Sequence, residues 1–363
     1  MILQLYVLRQ LLLSFAFALA GIAVLMVPST AISAVHKVGG VSLAAVLDYL
    51  PLILVDLVPY LLPMAFLLGV VAAFGRLAAD RELIAAAMAG VHPARSLLPG
   101  LLIALVLAAG TNWMLGELAP RWKYEQRDFL RRAQTEAFRT LTTGQTEIDY
   151  PGFFLKAESA EGNRKRNVIL SMQRAPDGQP SAEAAAEDKL TVEADMADLV
   201  FGTESLTLNL SGARVVDEGY ALENQDPSFR VRFDQLFPPD PVHRGRAKYF
   251  TTAELEGQLR TAELAPAKRR DIVFEIHRRR ALSVTYLLFL LLGMPTGILL
   301  RSGTQLAAFT GAIGYAFLYY LLAFRLGKWL AGGDVLPPIV AAWATNALFL
   351  AAGVLLAHRT LWR

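Results

Sequence analysis

Six windows of roughly twenty apolar residues, the length needed to cross the hydrocarbon core of a bilayer, fall near residues 9–32, 49–74, 96–119, 281–300, 304–325 and 337–357. They come in two groups of three. Between the groups, from about 120 to 270, charges become frequent, Gly, Pro and Asn recur, and the longest apolar runs are only strand-sized. The chain is 54% hydrophobic and 18% charged, with a mean hydropathy of +0.39. That balance excludes an ordinary soluble domain and fits a multi-pass membrane protein with one polar insertion.

The first apolar run, Leu11 to Val27, follows Arg9 and precedes Ala31-Ile32-Ser33-Ala34, which mimics a signal-peptidase site. The run is long for a signal peptide and five more spans follow, so a retained helix is expected. The net charge of +3 does not point to nucleic acid, because the basic residues cluster at span edges, where anionic headgroups hold them. With no cysteine, disulfides, thiolate zinc sites and thiol chemistry are excluded.

Within the insertion, residues 151–157, 167–172, 189–194, 206–210 and 229–233 are short, β-branched or alternating. Glu161-Gly162-Asn163, Pro176-Asp177-Gly178 and Ser211-Gly212 separate them as turns. Strands at such near-regular spacing predict an antiparallel sandwich or open barrel, and Ala182 to Asp188 reads as a polar loop. Helices are expected on both flanks, over Trp122 to Phe138 and over Thr252 to Arg260 with Asp271 to Arg280. Thr251 and Thr252 before Glu254 supply a helix start.

The second span runs without a break into Arg76-Leu77-Ala78-Ala79-Asp80-Arg81-Glu82-Leu83 and on to Ala89-Gly90. Too short for a domain and patterned with Leu77, Glu82, Leu83, Ala86 and Ala87, this segment reads as a contact helix at the membrane surface. No Gly-x-x-x-x-Gly-Lys-Ser/Thr pattern occurs, and Gly327-Lys328 lacks both the upstream glycine and the hydroxyl residue. The chain therefore has no phosphate loop for ATP, and energy would have to arrive through a partner. Arg76, Asp80, Arg81, Glu82 and Leu83 are the candidate coupling residues; the alternative is a solvated charged turn.

Pro51, Pro59 and Pro63 share one span with Asp56. Prolines bend a helix and a carboxylate there needs water or a partner, which suits the wall of a polar-edged cavity or, alternatively, a side chain snorkelling at interface depth. Arg278, Arg279 and Arg280, with Arg121, Lys123, Arg325 and Lys328, are candidates for a basic collar. Guanidinium groups bind phosphate in bidentate fashion, although anchoring to ordinary headgroups is the simpler alternative. Lys37 at the end of the first span joins them. The five histidines show no i, i+4 pair and no Gly-x-Ser-x-Gly occurs, so neither a metal site nor a serine nucleophile is expected. Tyr315, Phe317, Tyr319 and Tyr320 read as packing and interface belt.

If the amino terminus is cytoplasmic, Arg9, Arg76, Arg81, Arg95, Arg301, Arg359 and Arg363 lie inside, against Lys37, Arg325 and Lys328 outside. This puts the insertion outside; Arg121, Lys123, Arg127, Lys268 and Arg278 to Arg280 pull the other way.

Four pieces in order, Leu62-Pro63-Met64-Ala65 through Glu82-Leu83-Ile84 to Ala89-Gly90-Val91, Gly116-Glu117-Leu118-Ala119-Pro120 closing the third span, Glu275-Ile276-His277-Arg278-Arg279, and Leu292-Gly293-Met294-Pro295-Thr296-Gly297, resemble the LptF/LptG (YjgP/YjgQ) permease family. The resemblance covers essentially the whole chain. It implies a membrane α-helical fold of six transmembrane helices, three plus three, with an inserted all-β, jelly-roll-like periplasmic domain. The expected boundaries are 1–119 with a coupling helix at about 77–90, 120–275 for the β domain with helical flanks, and 276–363. It further implies the permease subunit of a lipopolysaccharide-exporting ABC transporter in the inner membrane of a Gram-negative bacterium, with the amino terminus inside. Its partners would be a cytoplasmic LptB-like ATPase dimer, a second LptF/LptG-type permease in a heterodimer, and LptC/LptA-like periplasmic jelly rolls. The chain itself would take no cofactor, ATP being bound by the partner, and Glu82 would sit in the helix that inserts into the ATPase. The family's basic residues late in the first helix have no clean counterpart here, where Val27-Pro28-Ser29-Thr30 precede His36 and Lys37.

Two other classes compete. An intramembrane lipid-modifying enzyme would need convergent acids, bases or a metal, and only Asp56 and Glu117 offer themselves. An ABC-coupled mechanotransmission or lipoprotein-release protein usually carries its large domain after the first span, whereas here the insertion follows the third.

Overall fold

The structure, a computed structural model, describes residues 2–38, 43–142, 144–150, 153–173, 189–202, 205–215, 226–233, 246–261, 263–300, 305–332 and 336–361. The chain divides into two compact units: residues 1–32, 50–125 and 246–363 form the first, and residues 33–49 and 126–245 the second.

The first unit is helical. Its spans come from α1 (Ile2–Val38), α2 (Leu43–Ala79), α4 (Leu97–Trp113) continuing into α5 (Ala119–Thr142), α7 (Pro266–Leu299), α8 (Gln305–Leu321) continuing into α9 (Gly327–Gly332), and α10 (Pro338–Leu361), with the end of α1, the start of α2 and α5 beyond residue 125 belonging to the second unit. The short α3 (Glu82–Met88) and α6 (Thr252–Thr261) lie between them. Six helices are long and apolar enough to cross a membrane, as the hydropathy pattern predicts. Several outlast a bilayer: α1 and α2 have 37 residues each, about 55 Å at the helical rise.

The spans are not equivalent. In the most apolar stretch of α7, 72% of residues are buried and in α2 61%, against 17% for each of the first and fifth spans. α2 and α7 thus form the inner pair. Small residues let them touch: a Cβ on Gly297 would lie 2.6 Å from the carbonyl oxygen of Val71 and 2.9 Å from the nitrogen of Gly75. Gly293, four residues earlier, makes room for the Val70 side chain, 2.8 Å from where a Cβ would stand. This is the small-xxx-small contact by which membrane helices pack backbone to backbone, and it gives the Gly293-Met294-Pro295-Thr296-Gly297 sequence a physical reason.

At Gly116-Glu117-Leu118-Ala119-Pro120, the piece expected to close the third span, the helix itself does not stop. A π-helical turn, Met114–Leu118, carries the chain past Pro120 into α5. Proline cannot donate to the carbonyl one turn back, and a wider turn at that point lets the helix run on. A second π turn, Leu322–Leu326, joins α8 to α9.

The second unit holds the insertion. Strands β1 (Glu147–Tyr150), β2 (Phe153–Glu161), β3 (Arg164–Gln173), β4 (Lys189–Phe201), β5 (Ser205–Ser211), β6 (Arg214–Val215) and β7 (Ser228–Arg232) form one antiparallel sheet ordered β1-β2-β3-β4-β5-β7, with β6 on β4. The five predicted strands are β2, β3, β4, β5 and β7; β1 and β6 are too short to show a period. The loop expected at 182–188 lies outside the described residues. One face is apolar, with Leu155, Leu170, Val192, Leu199, Leu206 and Leu208 buried. Phe138 of α5 caps it, edge-on to Phe153, Phe201 and Phe233.

That inward face changes phase partway along the strands. Val192 and Ala194 point in at one end of β4, Ala197 and Leu199 at the other; on β3 the buried set passes from Leu170 and Val168 to Lys165. Asn167 marks the bend at φ 49°, tolerated because asparagine visits the left-handed region more readily than most residues, and its amide donates to Glu158 on β2 at 2.5 Å.

Candidate coupling and lipid-handling sites

α3 follows α2 after a two-residue corner. Asp80 still donates its N–H to the Arg76 carbonyl at 2.9 Å, and Arg81 then turns the chain in the left-handed conformation, at φ 61°. No residue of α3 is buried in the chain, and Ile84 and Met88, one turn apart, are 45% and 86% exposed. An exposed apolar pair of this kind commonly marks a surface that meets another protein or the membrane. Leu83 turns back against the cluster of Val7, Leu11 and Leu77. Glu82 accepts a 2.9 Å hydrogen bond from the Tyr6 hydroxyl on α1, and Gln10 donates to the same hydroxyl at 3.3 Å. Arg76 and Asp80 are exposed on the last turn of α2.

The other end of the helical unit holds the predicted basic residues, and most of them meet acids. Glu275 accepts two hydrogen bonds from Arg278, each 2.9 Å, and one from Arg279 at 3.1 Å. Arg279 is only 4% exposed; its remaining donors go to the Ala247 carbonyl and the Thr252 hydroxyl. Thr252 in turn fills the space that Gly116 leaves, where a Cβ would lie 3.1 Å from its oxygen. Two of the four sequence pieces, Gly116-Glu117 and Glu275 to Arg279, are therefore joined through one threonine. Thr251 and Glu254 close a reciprocal capping box on α6, at 2.8 and 3.2 Å, which fixes where Thr252 sits.

Arg278 also lies over the Phe324 ring at 5.4 Å. Arg280 pairs with Glu256 at 2.7 Å, Arg121 with Glu117 at 3.7 Å, and Lys123 with Asp56 at 3.1 Å. Asp56 and Glu117 thus each face a cation of their own. Arg325 and Lys328 are exposed and have no ion pair among the described residues. Lys37 lies within α1, its side chain outside the described residues. Among the described residues no group of three or more His, Asp or Glu side chains is arranged to hold a metal.

Tyr319 is no interface-belt residue. It is 1% exposed, accepts a 2.7 Å hydrogen bond from Thr285 and donates one of 2.7 Å to Asn346, whose amide reaches the Ala281 carbonyl at 2.9 Å. Tyr320 donates to the Tyr60 carbonyl at 2.7 Å. These bonds tie α7, α8 and α10 together and α8 to α2, and satisfy the hydroxyls of Thr285, Tyr319 and Tyr320 as hydrocarbon requires. Tyr6 escaped the sequence reading for a related reason: a tyrosine at the edge of an apolar run looks like any interfacial aromatic.

The family model described as the lipopolysaccharide export system permease LptF/LptG matches residues 5–359. The chain belongs to the LptF/LptG family. Comparison with curated protein sequences finds no match. For an LptF/LptG chain the arrangement is coherent: the family match takes in α3, both π turns, the Glu275 cluster and the inserted sheet alike.

Proposed function

We propose that this LptF/LptG chain is the permease subunit of an ABC transporter that lifts lipopolysaccharide out of the inner membrane and passes it to a periplasmic bridge. The observation that carries the reading is α3, an outward-facing helix with no buried residue, in a chain that has no phosphate loop. A partner ATPase dimer would supply the work, binding ATP itself. Its closure would press on α3, and three contacts are suited to transmit the push: the Arg81 corner to α2, the Gly75–Gly297 contact from α2 to α7, and the Tyr6–Glu82 hydrogen bond to α1.

The first and fifth spans, the least covered by the chain itself, are the surfaces for a second permease and for lipid entry between the two. Arg325 and Lys328 have guanidinium and ammonium groups available for lipid phosphates. Arg279, committed to Glu275 and Ala247, would brace the mouth and not touch lipid. The inserted sheet, in the periplasm, would receive the acyl chains on its apolar face.

The test is affinity purification in mild detergent from cells bearing Glu82→Ala or Glu82→Lys. Loss of the co-purifying ATPase and of lipopolysaccharide export supports the reading. Unchanged co-purification and export exclude a coupling role for α3, and reporter fusions at 150–240 that prove cytosolic exclude export altogether.

A further inference from the structure

The two π turns of the helical unit are tied to one carboxylate. Gly116, inside the Met114–Leu118 turn, faces Thr252 so closely that a Cβ would lie 3.1 Å from its hydroxyl oxygen. Arg279 donates to that hydroxyl at 3.3 Å and to Glu275 at 3.1 Å. On the other side Arg278 donates twice to Glu275, at 2.9 Å each, and its guanidinium lies 5.4 Å from the centre of the Phe324 ring, in the middle of the Leu322–Leu326 turn. Phe324 is held further by Tyr60 at 5.5 Å and by Tyr320, on which it stacks. Glu275 therefore stands between two irregular turns that belong to different spans.

A π turn is a rare departure from the α pattern, each hydrogen bond reaching one residue further. Returning it to α would shift all that follows by one residue, about 1.5 Å along the axis and about 100° around it. Each turn thus has two discrete settings, and a pair of such elements is what coupling requires. Beyond the first turn stands α5 with Tyr124; beyond the second stands α9 with Lys328 and Trp329.

Glu275 cannot serve the two sides independently. Its Oε1 accepts from both arginines, it is 8% exposed, and a buried ion pair that loses one partner leaves an uncompensated charge. A shift of Gly116 against Thr252 moves the Arg279 guanidinium, and Glu275 must follow it or strand it. Either way the hold on Arg278, and through it on Phe324, changes.

We infer that Glu275 couples the two π turns, so that the register of α5 and the register of α9 change together. Glu275 is here a positioning residue, acting through Arg279 and Thr252 on one turn and through Arg278 and Phe324 on the other. The coupling is a property of the helical unit and stands whether or not the export reading does.

The chain has no cysteine, so a spin label can be set at one position at a time in the full chain in nanodiscs. Tyr124→Cys on α5 and Trp329→Cys on α9, both exposed positions, report the two turns. Thr252→Val removes the hydroxyl at the first turn, and Phe324→Leu the ring at the second. Crossed effects are expected: Thr252→Val changes the mobility of the label at 329, and Phe324→Leu that of the label at 124. The double variant should add little to either single one. Thr252→Ser, which keeps the hydroxyl, should leave both labels unmoved, and so should Gly297→Ala, which strains the chain at another contact of α7. If one variant does not fold, the crossed effect of the other decides. Variants that move only the label at their own turn overturn the proposal, as do additive effects in the double variant. So does a response to Gly297→Ala equal to that of Thr252→Val, which would mean general loosening.

Discussion

The Tyr6 hydroxyl donates a 2.9 Å hydrogen bond to Glu82, across 76 residues of sequence. It joins the only carboxylate of α3 to the first helix, and Leu83 beside it packs on the same helix region. Tyr6→Phe removes this bond and the weaker one that Gln10 donates to the same hydroxyl. A charge-assisted hydrogen bond at an exposed position contributes on the order of 1 kcal/mol, so folding should be nearly unchanged. The expected effect is on coupling: less lipid moved per ATP hydrolysed in reconstituted vesicles, with the ATPase still co-purifying. Equal transport stoichiometry in Tyr6→Phe and the unaltered chain would remove Tyr6 from the mechanism.

Glu275 holds two guanidinium groups in a site where Arg279 is nearly inaccessible. Glu275→Ala strands a buried cation, which costs about 3–5 kcal/mol. Thermal unfolding in detergent should show a large loss for this variant. The double variant Glu275→Leu with Arg279→Met should recover much of it, because a well-packed apolar pair replaces a buried ion pair at little cost.

Gly297 is bounded by backbone atoms of α2 on three sides. Overpacking a close contact costs typically 1–3 kcal/mol, and Gly297→Ala should fall at the upper end because backbone cannot move aside as a side chain can. Gly110→Ala serves as the control, since a Cβ there meets nothing within 4 Å. Size-exclusion profiles and melting temperatures of the two variants should separate clearly, with Gly110→Ala unchanged or slightly stabilised.

Lys165, fully buried on β3, donates its ammonium to the Gln145 carbonyl, and burial holds its pKa below the ordinary lysine range. In the window between that lowered value and the ordinary 10.5, the unfolded chain binds the extra proton. Stability of the inserted domain must then rise with pH across the window, and the penalty for the buried charge is constant below it. Protease resistance of the domain in the full chain, compared between the unaltered protein and Lys165→Met at each pH, should converge in the unaltered protein's favour as pH rises. A difference that does not change with pH would mean that the ammonium is not penalised.

The sequence by itself determined the number of spans, their grouping around an insertion, the β character of that insertion and the family. These rest on composition over windows of ten to twenty residues, and a bilayer's thickness and a strand's period act on such windows whatever the chain does elsewhere. Tertiary structure alone decided what each charge and hydroxyl does. Arg279 and Arg325 are both arginines at a span's edge, yet one is sealed against Glu275 and the other stands open. Tyr319 reads as packing and belt and Tyr6 carries no distinct local signal, yet one is a buried hydrogen-bond relay and the other ties α3 to α1. Glu275 lies one helical turn from Arg279, but Ala247, Thr252, Asn346 and Glu82 lie dozens of residues from the side chains they fix, so local pattern does not carry these roles; they exist only once the helices have packed.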